Sequence, residues 1–172
     1  MRIRKRYHVK IFLTTKEREM NGKKKLVQYF RLPPMHVKGE MLVLEVLDYK
    51  THDRAPLGLG KFKPGAANQM WAFIPCGGGF YEIINKHSCR VLDDSESSRY
   101  PGCLVYQHGR HGGDNQQWKV KRANGDNLVQ IFPKLNPNFV LDVGEHSTDR
   151  FAHMVLWHDW KGPNQIWRLI PA

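Results

Sequence analysis

The tetrapeptide NQMW at residues 68–71 returns as NQQW at 115–118 and as NQIW at 164–167. Its tryptophans stand 47 and 49 residues apart, and self-similarity at that period marks a supersecondary unit present in several copies. Working back from each tetrapeptide, an acidic residue follows a short aliphatic run at nearly constant distance. These are Glu45 in VLEV, Asp93 in VLDD and Asp142 in VLDV, lying 23, 22 and 22 residues before the Asn. Residue type, context and spacing coincide three times, so one unit is written three times.

Within each period the texture is β. LVQYF, MLVLEVL, FYEII, LVQIF and MVLWH are short and rich in branched and aromatic residues, and GGG, NG and NPN stand between such runs as turn formers. The spacing predicts about four short strands per period and hence about twelve in all. A sheet of that size must close or split to leave no unpaired edges. The repeats are placed at about residues 27–75, 76–122 and 123–172, preceded by a separate segment at 1–26.

A strand ending in LD, an aromatic strand and a closing NQxW resemble the ricin B-like, or R-type, lectins, and the resemblance covers roughly residues 27–169. It implies an all-β fold, a β-trefoil of three pseudo-repeats, in which the Gln and Trp of each NQxW tie the repeats into a common core. Trp71, Trp118 and Trp167 are therefore expected to be core residues.

A neutral sugar offers vicinal hydroxyls and an apolar face of C–H groups. A carboxylate accepts two hydroxyl protons, an amide both donates and accepts, and an aromatic ring covers the C–H face. The second repeat supplies all three in Asp93, Tyr106 and Asn115, with His108 two residues beyond Tyr106 and so on the same strand face. The run VYQHGRHGGDNQ is similar to the lectin domains of mucin-type glycosyltransferases, whose matching acid, tyrosine and asparagine hold N-acetylgalactosamine. Gln107 stands where that family usually has a cysteine, which removes a common disulfide. The third repeat supplies Asp142, Trp157 and Asn164, with His158 and Trp160 beside them. In the first repeat Glu45 replaces Asp, and the positions 13 and 15 residues later are Gly58 and Gly60. With no ring available except Phe62, this pocket is expected to be dead, with Asn68 and Gln69 kept for structure.

The expectation is a lectin for galactose and N-acetylgalactosamine glycans, with no catalytic residues, metal or cofactor. Neither Cys76 nor Cys103 has a context that names a base partner, and the spacing of the histidines, His108 and His111 included, matches no standard metal site. Three cysteines make an odd count, which argues against a closed disulfide framework; Cys89 and Cys103 could pair, but free thiols are the simpler reading. A net charge of +11, with Lys and Arg dense in residues 1–26, opens a second possibility. That segment reads as a strand at 7–13 and a turn at Asn21 and Gly22, forming a hairpin that covers the barrel, closes a homodimer, or binds nucleic acid, an anionic glycan or an anionic membrane surface. A protein-binding trefoil, inhibiting a protease or binding cytoskeleton, is held in reserve. No apolar stretch long enough for a membrane helix or a secretory signal is visible, so a cytoplasmic or non-classically secreted protein is expected, and the opening Met and closing repeat suggest a complete chain.

Overall fold

The computed structural model describes residues 27–95 and 100–172. The basic hairpin expected at 1–26 lies outside these residues, and with it the proposed roles in dimer closure and in nucleic-acid or anionic-surface binding.

The described residues form strands β1 (Phe30–Arg31), β2 (Leu42–Val46), β3 (Ala55–Lys61), β4 (Trp71–Gly77), β5 (Phe80–Asn85), β6 (Val91–Asp94), β7 (Val105–His108), β8 (Trp118–Arg122), β9 (Leu128–Pro133), β10 (Phe139–Val143), β11 (Met154–His158), β12 (Trp167–Arg168) and β13 (Ile170–Pro171). Leu169 alone separates β12 from β13, so each repeat contributes four strand lengths. Helical structure among the described residues is confined to five 3₁₀ turns, none long enough to cross a membrane.

Pairing closes the sheet. β4–β5 and β8–β9 are antiparallel hairpins; β1 pairs with β4 and β13, β5 with β8, and β9 with β12. The first and fourth strand lengths of each repeat thus make a six-stranded barrel without edges. Hairpins β2–β3, β6–β7 and β10–β11 form the cap. Ala55 and Pro56 pair with Gln107 and Tyr106, while single bridges Leu104–Val155 and Gly58–His153 complete the ring of hairpins. This is the β-trefoil.

Trp71, Trp118 and Trp167 occupy equivalent rungs opposite Phe30, Tyr81 and Val129, and all are fully buried. A buried indole N–H needs an acceptor. Here each donates to the carbonyl just before its own repeat's acid: Trp71 to Leu44 at 3.0 Å, Trp118 to Leu92 at 3.0 Å and Trp167 to Leu141 at 3.2 Å. The NQxW signature is therefore a clamp from the fourth strand of a repeat to its second, which is why spacing to the acid varies so little.

Gln107, at the position of the absent cysteine, forms a polar staple between repeats. Fully buried, it donates to the carbonyls of Lys50 and His52 at 2.9 and 3.1 Å and accepts from the Ser88 hydroxyl at 2.6 Å. Cys76, Cys89 and Cys103 are free thiols.

Candidate functional site

In each repeat the Asn and Gln of NQxW sit in a 3₁₀ turn, Ala67–Gln69, Asp114–Gln116 or Pro163–Gln165, which presents both amides to the acid at the end of the second strand. In the third repeat Asn164 donates to Asp142 Oδ1 at 2.8 Å and Gln165 to Oδ2 at 2.7 Å. In the second, Asn115 and Gln116 both donate to Asp93 Oδ2, at 3.0 and 2.9 Å. The same Gln side chains bridge to the loop before the turn: Gln116 donates to Gly109 O and accepts from the His111 N–H, while Gln165 donates to His158 O and accepts from the Trp160 N–H. A carboxylate has about four acceptor positions. The amides fix it in place and leave positions over for a ligand.

The third repeat opens into a cleft of about 440 Å³ lined by Asp142, Asn164, Trp157, Trp160, His146 and Gly102, among others. Register explains the lining. Asp142 is opposite Val155 and Val140 opposite Trp157, so Trp157 stands one rung beyond the acid on the same face. Its ring is 43% exposed, and that of Trp160 is 51% exposed. Gly162 permits the second ring's position, because a Cβ there would run into the Trp160 indole. Glu145 and His146 both have left-handed backbone, φ 55° and 57°, and this tight turn sets His146 against Trp160 with ring centroids 5.3 Å apart. Gly102 comes from the preceding repeat, tied in by its N–H to Leu156 O at 2.7 Å. Burial pushes the Asp142 carboxyl up to about 6, opposed by the hydrogen bonds from Gln165 and Asn164 and by nearby His146.

His158 is the one expected residue that the fold keeps out of this cleft's lining. Strand alternation turns it to the opposite face from Trp157, where its ring meets Phe139 edge-on at 5.0 Å. Its backbone carbonyl, not its imidazole, serves the site by holding Gln165.

The second repeat brings together all four expected residues, Asp93, Tyr106, His108 and Asn115, in a smaller pocket of about 120 Å³. Tyr106 lies directly across from Asp93, and His108 takes the next rung, the one that Trp157 holds in the third repeat. His111 occupies the position four residues before the Asn, where the third repeat has Trp160. Arg54, from the first repeat, also lines the pocket, its guanidinium 5.7 Å from the Tyr106 ring centroid. Nothing in the local sequence marks Arg54 or Gly102 as pocket residues, since both arrive through pairing between repeats.

The first repeat is filled by its own side chains. Glu45 lies opposite Gly58, and its carboxylate folds over Gly60, occupying the space that a Cβ there would need. The longer acid still serves the clamp, accepting from Gln69 at 2.7 Å. Buried Leu47 covers Gly58. Phe62 does not replace the missing ring, for it stacks with the guanidinium of Arg31 at 4.9 Å.

The model of the ricin-type β-trefoil lectin domain-like family matches residues 67–157. The chain belongs to this family. Its trefoil is similar to the designed three-fold symmetric protein ThreeFoil, 31% identical with a TM-score of 0.75 over 83% of this chain and 97% of that one. It is also similar to the exo-β-1,3-galactanase of Clostridium thermocellum, 28% identical with a TM-score of 0.77, over 86% of this chain and 31% of the enzyme. The C-half of the earthworm R-type lectin, solved with GalNAc, is 20% identical with a TM-score of 0.63 over 84% of this chain and 99% of that one, a likeness of fold alone. No curated protein matches the chain.

Proposed function

We propose that this ricin-type trefoil is a carbohydrate-binding module for galactose and N-acetylgalactosamine glycans, acting through the third repeat and, in a narrower pocket, the second. The observation that carries this reading is the third-repeat cleft. There an acid held by two amides, with acceptor positions left over, shares one open surface with two half-exposed indoles. Hydroxyls of a sugar meet the Asp142 carboxylate and the Asn164 amide while the Trp157 ring covers its C–H face. The GalNAc on the earthworm lectin supports this sugar class. Single shallow pockets bind weakly, so two on one rigid body act through multivalency. The role is binding without catalysis.

Calorimetric titration with free GalNAc and galactose tests it, on the unaltered chain and on Trp157→Ala. Saturable binding by the first and loss of its third-pocket component in the second, with an unchanged melting curve, is the expected result. Equal binding by both would move the site elsewhere.

A further inference from the structure

Where the third repeat has acid, tryptophan and tryptophan, the second has Asp93, His108 and His111. One side-chain donor atom from each lies within 4.8 Å of the others. We propose that this triad binds a divalent transition cation of the zinc class, independently of whether the pocket takes a sugar.

The donor chemistry fits. Two imidazoles and one carboxylate, with room for a solvent ligand, are the donor set of an open zinc site and a poor one for calcium or magnesium, which take oxygen ligands. His108 Nδ1 lies 3.1 Å from Gly109 O. A carbonyl only accepts, so Nδ1 carries the proton and the lone pair is on Nε2, a tautomer set as metal-binding histidines require. Asp93 is oriented through Oδ2 by Asn115 and Gln116, and Oδ1 accepts no hydrogen bond from the described residues. His111 Nε2 stands 3.7 Å from Asp93 Oδ2, and the two imidazoles meet edge-on at 5.7 Å. Asp53 Oδ2 lies 3.9 Å from His108 Nε2 and adds negative charge beside the triad, offsetting the Arg54 guanidinium that shares the pocket.

Binding requires adjustment on one side. Tetrahedral zinc bonds of 2.0–2.2 Å place donor atoms about 3.3 Å apart, so the triad must close from its present spread. His111 supplies this movement, being half-exposed on a loop. Its Nδ1 now accepts from the Gly113 N–H at 3.2 Å. Ligation through Nε2 needs the proton on Nδ1, so this bond is given up for the metal bond.

Titration of the full chain with Zn²⁺ by calorimetry, and with Co²⁺ by visible absorption, tests the site. A binding event is expected that weakens about tenfold or more in His108→Gln and in His111→Gln and persists in Trp157→Ala. An unchanged isotherm in both histidine variants, or no binding by the unaltered chain, overturns it. Should either variant fail to fold, imidazole NMR of the unaltered chain during Zn²⁺ addition decides. Signals of His108 and His111 moving first supports the site, and other histidines moving first refutes it. Because metal alone is the probe, failure here leaves the sugar reading intact.

Discussion

The second and third pockets are built on one backbone frame and differ in what stands on it. Acid, Asn and Gln hold the same relation in both, yet the two positions that flank the acid are histidines in one and tryptophans in the other. The outcome is a cleft of about 440 Å³ walled by indoles against a pocket of about 120 Å³ crowded by Tyr106, Arg54 and two imidazoles. The first repeat extends the series to zero, with Gly60 at the ring position and the Glu45 side chain lying in the vacancy. Retaining the acid and amides preserves the fold, because they belong to the clamp. What varies between repeats is the aromatic wall, so function is to be sought there.

This shapes the choice of variants. Asp93 and Asp142 are each the partner of a buried Gln amide, and Ala at either position strands that donor at a cost of about 1–3 kcal/mol of stability. Loss of binding in an Asp→Ala variant would thus mix the site with the fold. Ring removal at an exposed position separates them.

The largest effect is expected from Trp157→Ala, which should weaken sugar binding at the third pocket by about 2 kcal/mol, roughly thirtyfold, with little change in melting temperature. His108→Ala, the equivalent change in the second repeat, should leave the third pocket untouched. A comparable loss there would break the independence of the two sites.

Acidification comes next. The Asp142 carboxyl titrates at about 6. Its ionised form is the acceptor for sugar hydroxyls, so third-pocket affinity should fall roughly tenfold between pH 7.5 and pH 5, as the competent fraction shrinks. The fold responds with the opposite sign. A carboxyl raised above its unfolded value of about 3.9 favours the folded state when protonated, and that contribution is lost as pH rises through 6. His146 lines the same cleft, and His146→Gln should leave the fall in affinity in place if Asp142 is its source. Titration of both proteins at the two pH values checks this.

Trp160→Ala should cost less, about threefold, because Trp157 already covers the C–H face and the second ring adds only one further wall. Glu45→Ala should change sugar affinity not at all while lowering stability by about 1–2 kcal/mol through the partner lost to Gln69. A sugar-binding defect in that variant would mean the first repeat is not closed by its own side chains. Urea unfolding beside a sugar titration reads both quantities.

The three-fold fold was legible because NQxW and its acid form one hydrogen-bonded clamp whose geometry fixes their spacing. The main elements of the two pockets were legible for the same reason. Contacts that depend on pairing between repeats were not. Arg54 joins the second pocket because Pro56 pairs with Tyr106, and Gly102 joins the third because Leu104 bridges Val155. The plug formed by Leu47 and Glu45 left no signal beyond the two glycines beneath it. His158 is next to Trp157 in sequence but outside the cleft's lining, since adjacent strand residues face opposite ways. The spacing of His108 and His111 matches no standard metal site because the third member of the triad, Asp93, comes from another strand, β6.

Five tryptophans make the central claim directly observable, because three lie in the core and two in the cleft. In a ¹H–¹⁵N spectrum of the indole groups, addition of GalNAc should shift the signals of Trp157 and Trp160 and leave Trp71, Trp118 and Trp167, whose N–H groups are bonded to buried carbonyls, where they were. Unmoved Trp157 and Trp160 signals at saturating sugar would contradict the assignment of the third repeat as a carbohydrate site.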